Sequence, residues 1–224
     1  MKQTKRQVLP SRRRRTLRRL LIAAAALCLV NRIFLIGLLF PIQAIRQNEE
    51  RTGTGRTTVI CRDWAPELQW SRLTYLMGNE HVTFLTGTYL SYLGWLGDSG
   101  AVLDCSEEAA LHCGLWSINQ GDGKVLYVFG RIDDPAIVRL KIQGRQTVFS
   151  EEQTDQVAEE TYQEWTLEQE KWMEKDGRRY FLMKTVSYEK SSWSGQDFSV
   201  TGYNKYDEMV AEEKIEEGAF TSFV

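Results

Sequence analysis

Lys124–Arg131 reads KVLYVFGR, with Gly121-Asp122-Gly123 before it and Asp133-Asp134-Pro135 after it. β-Branched and aromatic residues crowded between two clusters of turn formers predict a short strand bounded by tight turns. Ile137, Leu140 and Ile142 follow at once, so turn, strand, turn, strand predicts a meander. Comparable apolar runs, separated by Gly, Asp and Asn, predict further strands at about 57–62, 81–93, 101–105, 111–118 and 136–142. The region is therefore expected to be mainly β, a β-sandwich or a partly open barrel.

Two segments resist that pattern. Over Trp64–Met77 the spacing of Leu68, Trp70, Leu73 and Met77 predicts a helix, while Leu68, Trp70 and Leu76 also fit the alternation of a strand. Ser150–Asp176 carries ten acidic residues and strong helix formers, so propensity favours a helix there. A hairpin at Asp176-Gly177 would instead set Glu174 against Arg179, Met173 against Tyr180, Trp172 against Phe181, Leu167 against Val186 and Trp165 against Tyr188. That many matched pairs predicts strands at about 162–174 and 179–189, preceded by a helix or loop. A last strand is expected near Phe198–Tyr203, with a frayed acidic tail after Tyr206.

Upstream, Leu20–Pro41 (LLIAAAALCLVNRIFLIGLLFP) is the most apolar run of the chain. Leu20–Phe40 is 21 residues, about 31 Å of helix against about 30 Å of bilayer hydrocarbon. This predicts one transmembrane helix, an uncleaved signal anchor, because the apolar core is longer than that of a cleaved signal peptide. Nine Lys and Arg residues and no acidic one precede it, which places the N-terminus in the cytoplasm. Arg32 lies inside the run. Either it snorkels to the far headgroups, or it pairs with an acidic or carbonyl group of another membrane protein.

The expected organisation is thus a basic cytoplasmic tail over 1–19, the span over 20–41, a linker over 42–56 (IQAIRQNEERTGTGR, which loses all apolar periodicity and ends in Gly53 and Gly55), and an extracytoplasmic β-rich domain over 57–224 with an acidic C-terminal tail. Charge divides along the same line. All 30 acidic residues follow position 48, and 17 of the 28 basic ones follow Arg46, a net of −13 for that part. Such a surface repels nucleic acid and suits a cationic protein or peptide.

Few residues offer chemistry. Gly97-Asp98-Ser99-Gly100 resembles the nucleophile motif of chymotrypsin-like serine proteases, and Ala110-Leu111-His112-Cys113 is similar to the segment around their catalytic histidine. The resemblance implies Ser99 as nucleophile and His112 as base, in an order opposite to the family's. A serine hydrolase using Ser99 is accordingly the alternative function, and a tight turn is the plainer reading of Gly-Asp-Ser-Gly. Cys105 and Cys113 bracket a short segment, as a cross-strand pair would, and predict a disulfide, with Cys61 as the competing partner. Neither His112 with these cysteines nor Asp133-Asp134 has the ligand spacing of a zinc or calcium site, and there is no phosphate-binding glycine loop. No cofactor or metal is expected, and the sequence favours a membrane-anchored, non-catalytic binding or accessory module whose ligand it does not name.

Overall fold

The structure is a computed structural model that describes residues 12–34, 38, 40–64, 72–92, 94–120, 123–149, 158–188, 191–193 and 198–215. Among the described residues two α-helices, α1 (Arg12–Phe34) and α2 (Pro41–Thr52), precede thirteen strands. These are β1 (Thr58–Trp64), β2 (Arg72–Gly78), β3 (Val82–Ser91), β4 (Gly94–Asp104), β5 (Leu111–Gln120), β6 (Gly123–Ile132), β7 (Arg139–Phe149), β8 (Ala158–Glu168), β9 (Met173–Lys175), β10 (Arg178–Tyr188), β11 (Ser191–Trp193), β12 (Phe198–Tyr203) and β13 (Met209–Ile215). All pair antiparallel, in three sheets. The first is the meander β1-β2-β3-β4 and the second runs β5-β6-β10-β9. In the third, β7 pairs with β8 on one side and with β11 and β12 on the other, and β13 adds to β12.

The chain is mainly β, and its sheets stack face to face as in a sandwich, but in three layers with α2 outside the first. β6 explains why. Val125, Tyr127 and Phe129 join Leu76, Leu85 and Ala101 of the first sheet in one core cluster. Leu126, Val128 and Ile132 join Leu140, Ile142, Phe198 and Val200 of the third in another. Successive side chains of a strand point to opposite faces, so a strand with an unbroken apolar run must be covered on both. Each side chain so buried contributes about 1.5–3 kcal/mol before the entropy of ordering is charged against it. A third cluster, Ile45 with Tyr75, Met77 and Phe84, seals α2 to the outer face of the first sheet.

Several expectations need correction. The segment 42–56, read as a linker, begins with α2. Pro41 starts this helix with its φ already set, and Gly53 ends it in the left-handed region at φ 67°. Its buried face is half polar (Ala44, Ile45, Asn48, Glu49), which hid the periodicity. Arg46, the Thr57 backbone N–H and the Thr57 hydroxyl all donate to Glu49, so burying that carboxylate leaves it satisfied. In the described part of the helix expected over 64–77, Trp64 ends β1 and 72–77 belong to β2, because Thr74 and Leu76 face the second sheet while Tyr75 and Met77 face α2.

The hairpin at Asp176-Gly177 forms, with both residues at positive φ (52° and 73°), as a two-residue turn of matching twist requires. Of the expected pairs only Glu174–Arg179 and Met173–Tyr180 belong to it, beside Lys175–Arg178. A 3-10 turn at Gln169–Lys171 then diverts the chain, and β8 sets Trp165 against Ile142 and Leu167 against Leu140 in the third sheet. Either partner strand would bury those two side chains, so local matching could not choose between them. The acidic tail is not frayed over its described part: Met209–Ile215 is β13, and Ile215 is buried in the core. The helix or loop expected before residue 162 lies outside the described residues over 150–157, whereas 158–161 already belong to β8.

At the N-terminus, α1 starts eight residues before the expected Leu20 and its last described residue is Phe34. Among the described residues, no helix is long and apolar enough to cross a membrane. The expected span continues through residues 35–37 and 39, which lie outside the described residues. Leu38 forms a two-way backbone bridge with Trp95 of β4 at 2.8 Å in each direction.

Candidate functional site

Two of the connections that pass between sheets, 105–110 from the first to the second and 133–138 from the second to the third, run side by side at one end of the stack. Between them lies an open cleft of about 580 Å³, lined by 105–110 on one side and by Arg131, Asp133, Asp134 and Pro135 on the other. The backbone N–H groups of Asp133 and Asp134 both donate to the Ala110 carbonyl at 3.0 Å, which holds the two crossings together.

Beneath the cleft Arg131, at the end of β6, is buried. Its Nε and Nη2 donate to Asp133 Oδ2 at 2.9 and 2.6 Å, its Nη1 to the Glu80 carbonyl at 2.9 Å and its Nη2 to the Cys105 carbonyl at 2.9 Å. Burial is the largest single effect and works against its charge, but the Asp133 hydrogen bond and the electrostatic pull of Cys105, Asp133 and Tyr180 together outweigh it and raise its pKa above the usual range. His112, also buried, brings Nε2 to 3.3 Å from the same Asp133 oxygen at an angle that makes no hydrogen bond. Arg179 of β10 donates to the Ile137 and Asp134 carbonyls and lies over the Trp172 ring, bracing the second crossing. The guanidinium of Arg131 is therefore spent on the protein itself: it ties the first sheet to the second rather than waiting for an anion. Around the rim Glu107 and Glu108 are exposed. Asp104, beside them, is held below the ordinary carboxylate range by the Ser106 hydroxyl and N–H, so the mouth of the cleft is acidic.

The structure thus gathers His112, Cys105 and Asp133 into one neighbourhood. It does not assemble the other groupings. Ser99 lies on β4 and His112 on β5, in different sheets, and no hydrogen bond joins them among the described residues. Cys61, Cys105 and Cys113 are free thiols. The expected Cys105–Cys113 hairpin is absent because residue 105 closes the first sheet and residue 113 pairs with Gly130 in the second. Burial pushes the Cys61 thiol up to about 11 and raises Cys105 and Cys113 as well, leaving all three protonated and weakly nucleophilic near neutrality. No group of three His, Cys, Asp or Glu among the described residues could hold a metal ion. Arg32 lies in α1, its side chain outside the described set.

Gly97-Asp98-Ser99-Gly100 is not a turn; it lies inside β4, paired with β3. Its glycines serve close approach. A Cβ on residue 97 would stand 2.5 Å from Asn48 Oδ1, and one on residue 100 would stand 2.5 Å from the Leu85 carbonyl oxygen. Through that gap Asn48 of α2 donates to Thr86 Oγ1 and to the Asp98 carbonyl, both at 2.8 Å. The Asp98 carboxylate accepts from the Ser99 N–H at 2.8 Å and pairs with Arg72 at 3.0 Å. The motif docks a helix on a sheet. Sequence reading missed Arg131, Arg179 and Asn48; the one available signal was a charged residue closing the otherwise apolar Lys124–Arg131 strand. Compared with family models, curated proteins and solved structures, the chain matches none.

Proposed function

We propose that this chain is a membrane-anchored, extracytoplasmic binding or accessory module, carried on one helix with its N-terminus in the cytoplasm. The observation that carries the reading is the state of α1. Leu20, Leu21, Ile22, Leu27 and Leu29 are all exposed, Leu27 to 73%, and no other part of the described chain covers them. A helix apolar on all sides needs a non-aqueous surrounding, and its apolar part, Leu20–Phe34, is about 22 Å of helix before Leu38 joins the first sheet. The arginines of the first turns favour the cytoplasmic side, and Arg32, near the far end, suits headgroups or an acidic group on a neighbouring helix.

Binding is favoured over catalysis because buried Arg131, Asn48 and Glu49 are committed to holding sheets and helix together. The acidic mouth of the inter-sheet cleft, on a body of net negative charge, suits a cationic protein or peptide. The test is in-cell crosslinking followed by affinity capture of the full chain beside Arg32→Leu and a Glu107→Lys/Glu108→Lys variant. A basic partner recovered with the wild type and lost from the double lysine variant is the expected result. Equal recovery from all three would reject the cleft as the contact, and protection from an impermeant thiol label of a cysteine placed at exposed Lys205 in intact cells would reverse the topology.

A further inference from the structure

The first sheet has unlike ends. At one end lie the Asn79–His81 turn and the 105–110 connection, with Glu80, His81, Glu107 and Glu108 exposed. At the other end, among the described residues, large apolar side chains are exposed: Tyr92 to 94%, Trp64 and Phe40 to 61% each, Leu90 to 44% and Ile42 to 39%. Register brings these together. Trp64 pairs with Leu73, Leu73 with Thr88 and Thr88 with Gly97, while Leu90 pairs with Trp95. From the row of Trp64 to Tyr92 is thus only four residues of strand, about 13 Å. Phe40 and Ile42 sit where the chain enters α2, whose far end reaches the opposite pole, since Asn79 Nδ2 donates to the Thr54 carbonyl at 3.0 Å.

This apolar end is fastened to the anchor. Leu38 and Trp95 exchange backbone hydrogen bonds, and Leu38 is four residues beyond Phe34, the last described residue of α1. Four residues span at most about 14 Å even when fully extended, so Leu38 stands within that distance of Phe34, and Trp95 of the β3–β4 hairpin only one strand spacing, about 5 Å, beyond it. Resting on the anchored reading above, we infer that the β3–β4 hairpin end of the first sheet is seated in the headgroup region of the same bilayer. Tyr92, Trp95, Phe40 and Leu90 would lie at the boundary of headgroups and acyl chains. Tyrosine and tryptophan favour that boundary because the ring is apolar while its O–H or N–H stays wet. The strands then point away from the membrane, and the acidic cleft is held at the pole remote from lipid, open to a partner.

The test uses the full chain in phosphatidylcholine–phosphatidylglycerol nanodiscs, with a photoreactive benzophenone side chain replacing Tyr92, His81 or Leu27 in turn. All three positions are exposed and should accept it. The expected result is lipid adducts at Leu27 and at Tyr92, the latter about tenfold above those at His81, as an interfacial aromatic against a solvated control predicts. Adducts at Leu27 with Tyr92 no higher than His81 would overturn the hairpin seat and leave the anchor standing. Adducts at neither Leu27 nor Tyr92 would remove both. Crosslinking of Tyr92 to a second copy of the chain, without lipid, would reassign the patch to a protein contact and overturn the inference.

Discussion

β6 and α1 are the two most apolar stretches of the described chain, and they meet opposite fates. Val125 to Phe129 of β6 are buried on both faces, the alternate side chains divided between two sheets, whereas Leu20 to Leu29 of α1 remain uncovered. Hydropathy alone does not distinguish them; periodicity and backbone satisfaction do. A strand leaves its N–H and C=O groups to neighbours, so β6 recruits β5 and β10 and through them two further layers. A helix satisfies its own backbone and can leave the protein for another apolar medium. One stretch organises the body, and the other addresses it.

That contrast can be broken by substitution in detergent-solubilised protein unfolded with urea. The largest effect is expected from Phe129→Ala, which removes a fully buried ring from between two sheets and should cost about 3–5 kcal/mol. Arg131→Met, at the end of the same strand, should cost about 3 kcal/mol, because Asp133 and the carbonyls of Glu80 and Cys105 lose their donors together. A gain in stability would mean that the ion pair is not a tie between sheets.

A smaller effect is one of pH. Burial raises the Cys61 thiol from 9.0 to about 11, and raises Tyr180 and Cys113 in the same direction. The unfolded chain releases these protons first, so their contribution is fully present below pH 9 and is lost as pH rises towards 11. Cys61→Ala should flatten part of that alkaline decline in the unfolding midpoint, and an unchanged slope would dissociate Cys61 from it. The smallest effect belongs to α1: Leu27→Ala should shift the stability of the body by no more than about 0.5 kcal/mol, since nothing in the described chain packs on it. A loss near that of Phe129→Ala would show α1 to be part of the core and would undercut the anchored reading.

Most strands were legible in the sequence because their signals are local. The run Lys124–Arg131 needed only its turns, and Phe198–Tyr203 and the Asp176-Gly177 turn were equally self-contained. The errors share a cause. α2 was hidden because its buried face carries Asn48 and Glu49, whose burial is stable only through Thr86, Asp98, Thr57 and Arg46, residues of which the farthest lies fifty positions away in the chain. Gly97 and Gly100 looked like a nucleophile's turn because a glycine needed for flexibility and one needed for close packing are the same letter. Of the candidate site, His112 and Asp133 stood out separately, but their common neighbour Arg131 read as the polar end of a strand.

The sequence by itself determined a mainly β body, the extra-apolar N-terminal segment with its basic flank, and the acidic balance of everything after it, because strand periodicity, hydropathy and charge are properties of short windows. Only the tertiary structure decided that there are three layers rather than two, that Trp165 and Leu167 pair with β7 rather than β10, and that a buried arginine joins the crossings. Those outcomes depend on which of several equally apolar faces meet and on donors finding acceptors far along the chain, and no local window contains that information.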